Sequence, residues 1–302
     1  MAPVPSRRQS AALTWPAIAR FIAADARLAA WAQDRGPLAV FLYELARFGV
    51  KQAWACLFGG IMVALIVLTF LFYPAAAPLP RYDFLTLAAL AVQVALIALR
   101  METIDEAKVI LLFHGVGTLM EIFKTAQGSW IYPEPAYLRV GGVPLFTGFM
   151  YACVGSYIAR AWRLFDFRFT YHPPLWATLT VSVAIYANFF LHHFVTDLRL
   201  ALFVAVAVLF ARCQIYFKIH HHYRHMPLLL GFGLVAIFIW IAENVGTLTR
   251  TWTYPHQAAG WTMVPPAKLG SWFLLMIISY VMVSLVNRPQ PLPLQAEPAR
   301  AD

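Results

Sequence analysis

Two glutamates stand where a carboxylate is costly. Glu121 and Glu243 each end a long apolar stretch, and after eight residues each is followed by a Trp-x-Tyr-Pro loop, Trp130-Ile131-Tyr132-Pro133 and Trp252-Thr253-Tyr254-Pro255. The matched positions are 122 residues apart, as are Thr125 and Thr247, and Ser129 and Thr251; Val143-Pro144 and Val264-Pro265 then open the next apolar runs. An ionisable group in such a stretch marks a function or a tight pairing. Two carboxylates sharing a low-dielectric site push their proton affinities apart, which makes an acid/base pair. Lys124 is within helical reach of Glu121, whereas Glu243 has Asn244, Trp240, Ile239 and, in place of the lysine, Gly246. The sequence therefore assigns Glu121 as the candidate base or anion and Glu243 as the candidate acid. His114, seven residues before Glu121 on the same helical face, and His193 are the supporting catalytic candidates. Lys124, Trp130, Tyr132, His192, Asn244, Trp252 and Tyr254 are the candidate substrate-binding residues. The plainer alternative is that each glutamate only ties a helix end to its Trp or Tyr.

A second group looks like metal ligands. His220-His221-His222 and His225 put His221 and His225 four apart, as on a helical face. The group belongs to the opposite membrane side from the glutamates and lacks a second histidine cluster, so it reads as a basic interfacial loop. No metal and no cofactor are expected, and no phosphate-binding loop, dinucleotide fingerprint or nucleophile elbow occurs. Cys56, Cys153 and Cys213 have no paired spacing, which argues against a disulfide framework or thiolate zinc site.

The elements that must position these residues are membrane helices. Apolar residues make up 61% of the chain and charged residues 12%, far from soluble averages of about 45–50% and about 25%. Eight apolar runs, about 52–72, 83–100, 107–127, 143–162, 174–194, 199–217, 227–247 and 267–287, each approach the roughly 20 residues a span needs. The expected fold is an all-α polytopic membrane bundle of about eight transmembrane helices. A 122-residue shift carries the first four runs near the last four, which predicts two four-helix halves in parallel orientation, 51–168 and 169–288. Residues 1–50 read as interfacial amphipathic helices or a tail packed on the bundle, and Pro289–Asp302 as disordered. Arg7-Arg8 is followed by no proper apolar core, so no cleavable signal is expected.

Of the 23 Lys and Arg, 17 fall on the side of the termini and 6 on the side of the Trp-x-Tyr-Pro loops. Basic loops stay inside, so the sequence predicts a multi-pass protein of a bacterial inner membrane with both termini cytoplasmic. The net charge of +9 serves orientation, and no nucleic-acid partner is expected. Membrane lipid is the expected partner, and no oligomeric state is assigned.

His114-Gly-Val-Gly-Thr-Leu-Met-Glu121-Ile-Phe-Lys124, Gly128-Ser-Trp-Ile-Tyr-Pro133, Trp240-Ile-Ala-Glu-Asn244 and Lys268-Leu-Gly-Ser-Trp-Phe-Leu-Leu-Met276 resemble an uncharacterised bacterial integral-membrane family, the YoaT-like proteins. The resemblance runs from about residue 40 onward and implies a membrane protein without implying an activity. A weaker, fold-level likeness is to membrane carotenoid enzymes, the lycopene cyclase and bacterioruberin-precursor hydratase group. Two classes follow: an acid/base enzyme acting on a lipid or isoprenoid-type substrate, with a pocket open sideways to lipid, or a small-solute transporter with its site at the repeat interface. For the transporter, Gly115 and Gly117, and Gly231 and Gly233, suggest broken helices.

Overall fold

The computed structural model describes residues 16–220 and 222–293. Ten helices carry the fold among them: α1 (Pro16–Arg35), α2 (Pro37–Ala55), α3 (Leu57–Phe72), α4 (Arg81–Ala98), α5 (Ile104–Ala126), α6 (Phe146–Phe165), α7 (Leu175–Leu191), α8 (Arg199–Phe210), α9 (Leu228–Leu248) and α10 (Lys268–Val286). Short strands join them: β1 (Arg139–Val140), β2 (Val143–Pro144), β3 (Arg168–Thr170), β4 (Gln214–Lys218) and β5 (Tyr223–Pro227). The chain is thus mostly helical rather than all-α.

Helices α4, α5, α9 and α10 are long and apolar enough to cross a membrane; α2 and α3 make a fifth candidate as one span bent by 67°. Helices α7 and α8 are apolar but have 17 and 12 residues. The eight helices α3–α10 coincide in order with the eight apolar runs, yet four or five of them meet the span criterion.

Helix α6 is the hub. It packs against α2, α3, α4, α5 and α10, so nearly every face is covered. Arg160, near the end of the fourth apolar run, lies within α6 and is fully buried. Its Nη2 meets Glu102 Oε1 at 2.8 Å, and Glu102 also accepts from Ser156 and from Gln93. A buried charge needs such company. Next to it, Thr103 and Glu106 form a capping box that starts α5.

The sixth apolar run does not stay helical. Arg212 and Gln214 interrupt it, and Ile215, Tyr216 and Phe217, aromatic and β-branched, pair as the middle strand β4 between β3 and β5. His220 and His222 fall in the β4–β5 turn and His225 on β5 opposite Tyr216. They are therefore on a hairpin, not a helical face; His221 lies outside the described residues. No group of three or more metal-ligating side chains occurs among the described residues.

The N-terminal helices pack on this hairpin rather than lying apart. Arg47 contacts Asp25, Tyr43 and His220, and Glu44, itself buried, meets Arg224 at 2.5 Å. The C-terminal segment joins the same end, where the Phe169 N–H donates to the Gln290 carbonyl at 2.9 Å. Residues 289–293 of the expected disordered tail are thus held against β3; the remainder of that tail, and Arg7-Arg8, lie outside the described residues.

Candidate functional site

The other end of the bundle carries both glutamates. Helices α5 and α9 raise Glu121 and Glu243 to their last turns, and the loops after them, 127–145 and 249–267, fold back over the carboxylates. The two loops meet at matched residues. Ile131 and Thr253 exchange both backbone hydrogen bonds, each 3.0 Å, as one antiparallel bridge. Beneath it, Trp130 and Tyr254 pack edge to face at 6.0 Å, and Lys268 lies over both rings. The start of α4 clamps this assembly. Asp83 accepts from the Tyr137 and Leu138 N–H groups, Arg81 bonds Thr251, and the Tyr82 hydroxyl donates to the Thr251 carbonyl.

Both carboxylates are buried and saturated with donors. Glu121, 4% exposed, accepts from Trp130 Nε1 at 2.7 Å and the Tyr132 hydroxyl at 2.5 Å on one oxygen, and from the Tyr151 hydroxyl at 2.6 Å on the other. Glu243, 3% exposed, accepts from the Tyr254 hydroxyl and from Trp272 Nε1. The tyrosine eleven residues after the glutamate makes the same bond in both copies. The tryptophans differ. Trp252 does not reach Glu243; its ring covers Gly246, where a Cβ would stand 2.1 Å from it. Gly246 is the position that Lys124 fills in the first copy, so the exchange of lysine for glycine makes room for the second tryptophan.

The lysine does not act as the sequence implies. Lys124 makes no ion pair with Glu121. Its Nζ lies 3.0 Å from His193 Nε2 and 3.5 Å from His192 Nε2, and 4.1 Å from the centre of the Phe189 ring. His192 Nδ1 faces the Asn188 carbonyl at 3.0 Å, which makes Nδ1 the donor and leaves Nε2 free to accept. Burial, then Lys124 and His192, hold the His193 imidazole below its usual range. The cation in reach of Glu243 is Lys268, which the sequence reading missed. The premise of a cation beside Glu121 and none beside Glu243 is thereby reversed.

Asn244 is a loop anchor: its Oδ1 accepts from the Val264 N–H and its Nδ2 donates to the Trp240 carbonyl. His114 stays apart from the glutamates. It packs on Phe149 at 4.5 Å and its Nδ1, like Thr118 Oγ1, faces the backbone of Gly148. At the α7–α8 loop, burial works against the Asp197 charge, but the Arg199 N–H, Asn188 and the Arg199 guanidinium hold its carboxyl down at about 2.

Helices α5 and α9 are unbroken at their glycines. Gly117 instead receives the Tyr151 ring, and Gly233 has open space beside it. Below Tyr151 runs an apolar crevice between α5, α6, α7 and α10, lined also by Phe113, Gly117, Tyr186, Leu275 and Ser279. Its free volume, about 10 Å³, is one water's worth. Tyr151 and Trp272 are the donors the sequence reading missed; both stand in the first third of the helix after a Trp-x-Tyr-Pro loop, where an aromatic N–H or O–H can reach back to a buried acceptor.

Fold and site define a mostly helical chain with four or five helices able to span a membrane, sealed at one end by two interlocked loops. Proteins of unknown function, family DUF817, match residues 44–280. The uncharacterised protein YoaT of Bacillus subtilis (strain 168) is 40% identical over 256 residues, 84% of this chain and 96% of that protein. The chain belongs to the DUF817 family. No solved structure matches it. Neither finding supports the likeness to carotenoid enzymes, which is set aside.

Proposed function

We propose that the protein is a membrane-embedded acid/base enzyme acting on a lipid or isoprenoid-type substrate, in which Glu121 works through Tyr151. The observation that carries this reading is that, of the three donors on Glu121, Tyr151 alone lines an apolar crevice. A proton leaving the substrate enters on the Tyr151 oxygen as the hydroxyl proton passes to Glu121, so the carboxylate never has to meet the substrate. Opening the crevice to a chain requires α7 and α10 to part from α5 and α6. Glu243, tied to Tyr254 and Trp272 with Lys268 beside it, serves here as the anchor of the second loop rather than as the acid. His193 and His192 set the position of Lys124.

The reading includes eight spans in two parallel halves, in an inner membrane with both termini cytoplasmic. It is supported by the nearly equal spacing of α5 to α9 and α6 to α10, by the mutual Ile131–Thr253 bridge, and by the 17 to 6 division of basic residues. A small-solute transporter would use the same seam, but unbroken α5 and α9 give it less support. The test is lipid and metabolite profiling of a strain lacking the gene, complemented by variants. Tyr151→Phe and Glu121→Gln are expected to accumulate in the membrane yet leave the deletion profile unrestored, whereas Glu243→Gln lowers accumulation. Full restoration by both Y151F and E121Q would refute the acid/base reading.

A further inference from the structure

A second cluster of polar side chains lies at the loop end, around Lys124. Lys124 is only 4% exposed, and among the described residues no carboxylate stands within hydrogen-bonding distance of it. Two imidazole nitrogens and a ring surround its ammonium, and Lys268 and Arg199 are the cations in electrostatic reach. Asp197, the acidic group in that reach, is already bonded to Arg199 and Asn188. A buried cation surrounded by further cations lacks its counter-charge.

Beside this cluster a groove of about 260 Å³ opens between α8 and α10. Arg199 and Ser271 are polar in its lining, Leu200, Phe203, Ala267 and Gly270 are not. Gly270 lets the Phe203 ring close its floor, since a Cβ there would stand 2.9 Å from the ring. Ala267, Ser271, Leu275, Ile278 and Met282 follow helical spacing along one face of α10. The first two line this groove and the last three line the crevice under Tyr151. The groove thus joins a polar, cationic mouth to an apolar wall of Leu200 and Phe203.

We propose that this groove binds an anionic, phosphate-headed amphiphile, with the headgroup between Lys124, Arg199 and Lys268 and the chain along Leu200, Phe203 and the α10 face. Cationic pockets between membrane helices recognise phosphate headgroups by this combination of charge and adjoining apolar surface. The site stands whether or not Tyr151 acts on the bound chain, because binding is read without activity.

The experiment measures the thermal midpoint of the purified full-length protein in detergent with added dioleoylphosphatidate, dioleoylphosphatidylcholine or inorganic phosphate. A ligand of the folded state raises the midpoint. The phosphatidate is expected to raise it by several degrees and the other two to leave it unchanged. Arg199→Gln removes a half-exposed cation and Ser271→Leu fills the groove; both are expected to abolish the rise while keeping the ligand-free midpoint. Arg250→Gln, an exposed change at the same end, is expected to keep it. An equal rise from inorganic phosphate, or a full rise in both R199Q and S271L, overturns the proposal.

Discussion

Gly117→Ala is the sharpest probe of the Glu121 site. A Cβ at residue 117 would stand 2.7 Å from three atoms of the Tyr151 side chain, Cβ, Cγ and Cδ2. Carbon pairs rest about 3.5–4.0 Å apart, so the ring must retreat by roughly 1 Å. Because Cβ is one of the three, rotation about χ1 cannot clear the clash and α6 itself must shift. The Tyr151 hydroxyl, 2.6 Å from Glu121, then loses its bond. Overpacking of this kind costs about 1–3 kcal/mol, and a hydrogen bond to a charged group contributes about 1.5–3 kcal/mol. Gly117→Ala should therefore destabilise by about 1.5–5 kcal/mol after the roughly 1 kcal/mol returned by alanine's helix propensity. Tyr151→Phe should cost only the bond. The two changes share one side chain, so the double variant should fall well short of the sum. Gly233→Ala, with nothing within 4 Å of its Cβ, is the control and should be neutral or slightly stabilising. Denaturant unfolding in detergent measures all four. A neutral G117A, or strict additivity with Y151F, would refute the packing argument.

Arg160→Met leaves Glu102 buried without its cation and should cost about 3–5 kcal/mol, with Arg160→Met plus Glu102→Leu recovering much of it in the same unfolding assay. Burial, against a smaller opposing effect of the Pro173 carbonyl, holds the His172 imidazole below its usual value of about 6.5. The unfolded chain therefore takes up the proton first as pH falls. The His172 contribution is complete above about pH 6.5 and is lost as pH drops from there toward the lowered folded value. His172→Gln should flatten stability over that window. Single cysteines at positions 137 and 256, both exposed and at the loop end, should label from one side of the membrane and position 222 from the other, in a background without the exposed Cys56. Labelling of 137 and 222 from the same side would break the proposed topology.

The helices were legible because apolar runs are long and carry few charges. The order α3–α10 follows from them, and the glutamate loops were legible because a spacing repeated intact. What was misread shares one cause: a position along the chain says where a residue stands, not which neighbour its side chain meets. Arg160 looked like the basic end of a span because Arg163 and Arg168 follow it. It is instead the centre of a polar cluster whose other members, Glu102, Gln93 and Ser156, come from three separate stretches. The sixth apolar run, 199–217, read as one span because its composition is apolar throughout. Strand pairing of Ile215 with Phe169 and Met226 supplied the backbone partners that ended α8 early.

The same limit explains the asymmetry between the two copies. Lys124 and Gly246 occupy matched positions, and spacing alone suggested that the lysine serves the neighbouring glutamate. A lysine side chain can turn to either side of its helix. At 124 it turns toward α7, where Phe189 and the two imidazoles cover its stem and ammonium. Trp130 then shares Glu121 with the Tyr132 and Tyr151 hydroxyls and not with the lysine. At 246 the missing side chain admits the Trp252 ring, and Glu243 takes its indole donor from Trp272 on α10 instead. The exchange of lysine for glycine thus goes with a different indole donor at each carboxylate, Trp130 at Glu121 and Trp272 at Glu243. Two ends that share a motif come to differ at the crevice: the first copy meets it through Tyr151, whereas neither donor on Glu243 lines it. The different roles proposed for the two glutamates rest on this difference in packing, with no change in the glutamates themselves.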